Sequence, residues 1–536
     1  MPSDRFPTQQ QLQQLPAAAG REPTPLVPVL PARPGQPAWP LHDVAASRRV
    51  EAEGLAATPP QALMGRAGLA VARLALAVAP HARRIWVAAG PGNNGGDALV
   101  AARHLRAWGR EVVVTWLGRP DQAPDDARHA WAESRDAGVL IEPALPAQTE
   151  TDLCLDGLLG IGASRPPAGP IAEAIRRLNG QAAPVLAIDL PSGLAADRGQ
   201  PLGELAVVSA HTLALLTLKP GLFTGAARDH AGRVWLDTLG RPTDTARATA
   251  WLGAAAAPPP RRHVQHKGSF GDVIVLGGAE GMGGASVLAA RAALAAGAGR
   301  VYLARLGGDP LAVDPHRPEL MPRSTAQVLV PEVLRSATVV CGCGGGTAVA
   351  AALPAVLAEA DRLVLDADAL NALAADPALW PLLAARGRPT VLTPHPLEAA
   401  RLLGCTAAEV QADRIAAATR LAERARATVL LKGSGTVIAA PGRPPVVNPT
   451  GHARLGTAGS GDVLAGWLGA WLAADTAWPQ PDGGMADPAF GAACAAAWWH
   501  GHAGEQGAPG LPLQAGDLAD AMAAAVANAD AADAAA

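Results

Sequence analysis

The run Thr457-Ala458-Gly459-Ser460-Gly461-Asp462 places small residues and one carboxylate directly before the apolar stretch Val463 to Leu468. A helix that starts here exposes first-turn N–H groups with no partner inside the helix, and its dipole favours negative charge. Such a stretch is suited to an anion. Asp462 stands at the lip of that site, placed to take a proton from a hydroxyl beside a phosphate. The same aspartate could instead only cap the helix. Lys432, followed by Gly433-Ser434-Gly435-Thr436, offers an ammonium and a Gly-rich turn in which a phosphate meets no Cβ. His395 lies between two prolines that stiffen the backbone and fix the aim of its ring, for a ligand or for a structural partner. Asp366 and Asp368 could hold Mg²⁺ through water or bond nearby turn N–H groups. Phosphoryl transfer asks for little beyond positioned charges and one base.

The first half carries a second constellation. Gly90-Pro91-Gly92-Asn93-Asn94-Gly95-Gly96-Asp97 follows a strand pattern, Arg84 to Ala89, and precedes a helical one, Ala98 to Trp108. It again suits an anion, with the paired asparagines adding amide donors and acceptors. Asn94, Asp156 and Ser192 follow three separate strand patterns, so their oxygens could converge on a monovalent cation. Taken alone, the glycine run could be a turn with a helix cap.

The elements that would position these residues alternate between short apolar runs and helical periods, in the first half and again after the Ala-Pro run Ala254 to Pro260. The fold class expected is α/β, with mostly parallel sheets covered on both faces, in two domains. The boundaries expected are a disordered Pro- and Gln-rich tail over 1–37, a first domain over 38–250, a linker over 251–262, a second domain over 263–528 and an Ala/Asp tail over 529–536. In the second half, Gly277-Gly278, Gly342 to Gly346, Asp366 to Asn371, Thr393 to Pro396 and Lys432 to Thr436 each follow a strand pattern. Ligands of open α/β sheets bind at that end of the strands. Any one of these loops could be a plain turn; five in register favour a phosphate-rich ligand.

A net charge of -3 without a basic run argues against nucleic acid or acidic membranes as partners. No apolar run is long enough to cross a bilayer, and the N-terminus lacks a signal-peptide core, so a cytoplasmic protein is expected. Five cysteines do not read as a disulfide framework, and Cys341 with Cys343 lacks the companions of a metal site. Of 44 basic residues only three are lysine, Lys219, Lys267 and Lys432, all in Gly-rich segments. A position that stays Lys in so Arg-rich a chain could need a compact ammonium.

The second half resembles ADP-dependent NAD(P)H-hydrate dehydratase of the ribokinase-like superfamily. The resemblance rests on HKGSFGDVIVLGGAEGMGGASVLAARAALAAGAGRV, LVLDADALNALA, LTPHPLEAARLLG, LLKGSGTVIA and TAGSGDVLAGWL. It implies a ribokinase-like α/β/α domain with Asp462 as the proton-abstracting base. It implies ADP or AMP at Lys432, Gly433, Ser434, Gly435, Thr436 and Gly461, with Mg²⁺. It implies the hydrated nucleotide at Ala285, Gly346, His395 and Asp462. The first half, from about Leu41 to Leu239, resembles NAD(P)H-hydrate epimerase through GPGNNGGD, DGLLG and IDLPSG. This second resemblance implies a Rossmann-like α/β/α domain with substrate at Asn93, Asn94, Gly95, Gly96 and Asp97. The substrate would continue along Gly160, Ile161, Gly162, Ala163, Ser164, Arg165 and Pro166 and reach Asp189, the acid/base candidate. K⁺ would sit at Asn94, Asp156 and Ser192; a match at Lys219 leaves its role open.

Together the two imply repair of NADHX and NADPHX. One half interconverts the R and S epimers, and the other dehydrates the S form with ADP, giving AMP and phosphate. A homo-oligomer is expected. The chain departs from the family pattern in Gly342-Cys343-Gly344-Gly345-Gly346 for GPGLG, Leu397 in HPLE for HPGE, Ser460 for Thr and Ile161 for Thr. The rival readings are an ATP-dependent kinase of a small alcohol such as a vitamin precursor, and a non-catalytic N-terminal binding module.

Overall fold

The computed structural model of the protein describes residues 24–146, 150–256, 261–307, 313–474, 476–480, 482–506 and 513–534. These form two compact units. One comprises 24–30 and Pro40–Ala250, the other Pro31–Trp39 and the chain from Trp251 onward. No helix among the described residues is long and apolar enough to cross a membrane.

The first unit is built on an eight-stranded sheet. Its order is Val27–Pro28, Arg233–Asp237, His211–Leu215, Val185–Ile188, Leu153–Gly157, Arg84–Ala89, Glu111–Trp116, Leu140–Glu142. Every pairing is parallel except that of Val27–Pro28. Strand Arg84–Ala89 shows why both faces are covered, because side chains alternate along a strand. Ile85, Val87 and Ala89 pack into a core shared with helices Ala62–Val78 and Asn93–Ala107. Trp86 and Ala88 pack into another with Ala174, Ile175 and Leu178 of helix Gly169–Asn179.

The sheet of the second unit runs Met321–Arg323, Arg300–Arg305, Asp272–Gly277, Thr338–Cys341, Arg362–Leu365, Thr390–Leu392, Thr428–Leu431, Val437–Ala439, Val446–Val447, Ala250–Leu252. The strands Asp272–Gly277, Thr338–Cys341, Arg362–Leu365, Thr390–Leu392 and Thr428–Leu431 are successive parallel neighbours. Their five following loops therefore emerge at one edge of the sheet, as the sequence predicts. One face buries Ile274, Leu276, Val339, Cys341, Leu363 and Leu365. The opposite face meets helix Ser460–Ala473 at close range. A Cβ on Gly469 would lie 2.3 Å from Val340 Cγ2, and one on Gly466 would lie 1.9 Å from the Ala289 carbonyl oxygen of helix Gly283–Ala295. Gly466→Ala is therefore expected to destabilise this unit by about 1–3 kcal/mol through overpacking, seen as a lowered unfolding temperature in a thermal melt.

Several boundaries differ from expectation. The helix expected from Ala98 begins at Asn93, so the Asn-Gly run forms its first turns. Glycine is tolerated there because the helix packs too closely for side chains: a Cβ on Gly95 would lie 2.0 Å from Gly90 O, and one on Gly96 2.6 Å from Met64 Cε. Residues 24–37, expected within a disordered tail, are seated in the fold. Val27–Pro28 pairs with Arg233–Asp237, Ala255 N–H donates to Ala32 O, and Leu26, Val29 and Ala32 are buried. A two-residue pairing carries no periodicity that a sequence can announce. Positions 1–23 of that tail lie outside the described residues. Of the expected linker, 251–252 belong to a strand and 257–260 are outside the described residues. The expected C-terminal tail begins inside helix Ala515–Ala534.

Candidate functional site

In the second unit, the chemistry gathers at the edge defined by the five loops. Asp462 is the third residue of helix Ser460–Ala473, which Gly459 enters at a left-handed φ of 91°. Lys432 leaves strand Thr428–Leu431, and its backbone N–H donates to Pro394 O at 2.9 Å, tying two of the loops together. Its Nζ donates to Asp366 Oδ1 at 2.7 Å, and Thr393 Oγ1 donates to the same oxygen at 2.8 Å. Cys343 Sγ lies 3.8 Å from Asp366 Oδ2. Sγ and one oxygen each of Asp366 and Asp462 all lie within 4.8 Å of one another. Gly461 flanks the lysine: a Cβ there would sit 3.2 Å from Nζ. Burial, and then the charge of Asp366, push the Asp462 carboxyl up to about 6; the Cys343 thiol and Lys432 oppose the shift. A base poised near neutrality suits proton abstraction at physiological pH.

The Lys432–Thr436 loop is held from below by a residue that the sequence did not single out. Buried Arg414 donates from Nη2 to Leu431 O at 3.1 Å and to Lys432 O at 3.0 Å, and from Nη1 to Gln411 Oε1 at 2.6 Å. Gly433 adopts φ 130°, and a Cβ there would press on the guanidinium at 3.0 Å. His500 is a second such residue. Burial pushes it down to about 4, so the neutral ring donates from Nε2 to Ser460 O at 3.0 Å and braces the start of the Asp462 helix.

Other candidates take more structural parts. His395 caps helix Pro396–Leu403: Nδ1 accepts from Leu397 and Glu398 N–H at 3.1 and 3.2 Å. Asp368 accepts from Gly346 N–H at 2.8 Å and from the Asn371 amide at 3.2 Å. Asp366 and Asp368 are thus each engaged by protein donors. Ala285 lies beside the Gly342–Gly346 loop, where a Cβ on Gly344 would approach its Cβ to 2.9 Å; Gly346 itself stands at φ 54° against Ala279 and Met282.

In the first unit, a cavity of about 790 Å³ is lined by Asn93, Asn94, Asp97, the whole Gly160–Pro166 loop and Asp189. Gly95 and Gly96 are absent from its wall and serve packing instead. Ile161 presents no hydroxyl to it. The cavity also brings in Lys219, whose part the sequence left open, and Glu51 and Arg48, which it missed. Lys219 is buried, with Nζ donating to Asp189 Oδ1 and, at 2.9 Å, to Leu215 O. Asp189 holds a left-handed φ of 68°. Burial, reinforced by neighbouring carboxylates, pushes Asp97 well above the usual carboxylate range and Glu51 upward.

Asp156 and Ser192 lie behind the wall. Asp156 is fully buried and accepts from Ser192 Oγ at 2.6 Å, Ser192 N–H at 2.8 Å and Leu158 N–H at 3.2 Å; burial pushes it up to about 6. Asn94 is buried with both amide atoms unpartnered, and Gly160 stands between it and Asp189. The Asn94 amide oxygen is thus an unpaired buried acceptor of the kind a cation satisfies, while the Asp156 oxygens already accept from Ser192 and Leu158.

Comparison with known proteins gives the same division. Residues 273–528 match the family model described as NAD(P)H-hydrate dehydratase, and residues 60–221 match that described as YjeF-related protein N-terminus. A bifunctional NAD(P)H-hydrate repair enzyme of Leishmania braziliensis is 38% identical over 83% of this chain and 84% of its own. The bifunctional NAD(P)H-hydrate repair enzyme Nnr of Escherichia coli is 36% identical over 87% and 89%. A solved ADP/ATP-dependent NAD(P)H-hydrate dehydratase of Bacillus subtilis, co-crystallised with ATP/Mg²⁺, is 26% identical, spans 51% of this chain and 94% of its own, and has a TM-score of 0.41. With relatives this similar along most of both lengths, the chain belongs to the family of bifunctional NAD(P)H-hydrate repair enzymes.

Proposed function

We propose that residues 38–250 epimerise R- and S-NAD(P)HX and that residues 263–528 dehydrate the S form to NAD(P)H with ADP. The observation that carries the reading is the juxtaposition of Lys432, Asp366 and Asp462 at one sheet edge. The ADP phosphates lie along Gly433–Thr436 with Lys432 on the terminal phosphate, and Mg²⁺ arrives with the nucleotide as part of the substrate. Asp462 takes the proton of the hydrate's hydroxyl, whose oxygen attacks the β-phosphorus as AMP leaves. The C–O bond then breaks as phosphate, a far better leaving group than hydroxide, departs, and the adjacent ring carbon gives up a proton to solvent, closing the double bond of NAD(P)H. In the first unit, Asp189 moves the proton that interconverts the epimers and Lys219 holds its carboxylate; Asn94, Asp156 and Ser192 would hold K⁺.

The test supplies purified R or S hydrate with ADP or with ATP and follows NADH absorbance. Recovery from both epimers with ADP is expected, the R form through epimerisation. No recovery, together with ATP-dependent phosphorylation of a vitamin precursor, would establish the kinase reading instead. The position of Asp462 also sets the pH response. The base is active when ionised, so kcat for dehydration is expected to level off above about pH 6, the value to which burial raises it. Below that it should fall about tenfold per pH unit, read from a pH–rate profile.

A further inference from the structure

The thiol of Cys343 lies inside the dehydratase centre, yet the reaction above gives it nothing to do. It is fully buried. Burial and the charges of Asp366 and Asp462 push it well above the usual thiol range, so it carries its proton and acts as a donor. Its Sγ lies 3.8 Å from Asp366 Oδ2 and within 4.8 Å of an Asp462 carboxylate oxygen. Its place is set by the backbone. Gly342 and Gly344 on either side hold left-handed φ angles of 118° and 59°, and Cys343 O accepts from Gly278 N–H at 2.9 Å.

The two carboxylates are unequally provided for. Asp366 has Lys432 and Thr393 on Oδ1. Asp462 has the more distant charge of Lys432 and the repulsion of Asp366 and Asp368. His395 and Glu398, from the next loop, bear on Lys432 and Asp366, and neutral His500 is spent on Ser460 O. We propose that Cys343 is a positioning residue for the dehydratase: its one S–H proton, shared between Asp366 and Asp462, keeps the base aimed and ionised beside a like charge.

The inference rests on Asp462 being the base, and the experiment separates the two. Cys343→Ala and Cys343→Ser are made in the full chain, and kcat and KM are measured against pH with ADP and the S epimer; an unaltered unfolding transition of the second unit in a thermal melt reports that it is folded. In Cys343→Ala the acid limb of kcat is expected to move up by about half to one pH unit, with KM for ADP within about twofold, as loss of one weak donor to a carboxylate implies. In Cys343→Ser, a stronger donor, the limb is expected at or below its original position. An unmoved limb in Cys343→Ala, or an upward shift in Cys343→Ser, overturns the proposal, and either variant alone decides it. Full dehydration by Asp462→Asn would instead remove the reading on which it stands.

Discussion

Asp462→Asn is expected to lower ADP-driven dehydration of the S epimer by about 10²–10⁴-fold, the usual worth of a positioned base, while R-to-S exchange continues at its original rate. Asparagine keeps the shape of the side chain and removes its basicity. The substitution also relieves a strain in the folded protein. The Asp462 carboxylate is held at about 6 by burial and by its neighbour Asp366, so a neutral isostere there is expected to leave the unfolding temperature unchanged or raised. Activity and stability then move apart, which separates a lost base from a damaged fold. Dehydration within tenfold of the original rate would assign proton abstraction elsewhere. Loss of both activities would dissolve the separation of the two sites.

What the sequence made legible follows from what strand and helix periods encode. Five polar or Gly-rich loops at strand ends needed only the parallel neighbour order to become one edge, and Lys432, Gly461 and Asp462 meet there. Spacing says nothing about the direction in which a side chain leaves the backbone. Asp366 and Asp368 read as a pair, but Ala367 between them takes a φ of 46°, and the first turns to Lys432 while the second turns to Gly346. His395 between prolines was equally ambiguous until its Nδ1 was seen to accept two helix N–H groups. Cys343 read as a loop departure because its contacts, Asp366 and Asp462, are distant along the chain. Arg414 is invisible to pattern: it lies in an amphipathic helix and spends its charge on loop carbonyls. The scarcity of lysine was the better signal. Lys219 and Lys432 each hold a site carboxylate, whereas Lys267 is exposed.

Lys219→Met is expected to cut epimerisation by about 10²-fold or more and to destabilise the first unit by ~3–5 kcal/mol, while dehydration of supplied S epimer persists. Lys219 is 2% exposed and is bonded to both Asp189 Oδ1 and Leu215 O, so methionine leaves a largely buried carboxylate without its cation. Breaking such a pair from one side leaves an uncompensated charge, and for a unit of this size the loss corresponds to roughly 6–20 °C in its unfolding temperature. The same ammonium joins Asp189, which holds a left-handed φ of 68°, to the carbonyl of Leu215, whose neighbour Leu216 holds a φ of 63°. Non-glycine residues persist there only where their surroundings over-determine them. A compact head on a flexible stem can serve both partners at once, so Lys219→Arg is not a conservative change either. Removing both charges in Lys219→Met with Asp189→Asn is expected to recover much of the unfolding temperature and none of the epimerisation. If the double variant regains activity with stability, Asp189 moves no proton and the pair is scaffolding. If Lys219→Met melts lower yet epimerises as before, the lysine holds the loop and leaves the chemistry to Asp189 alone.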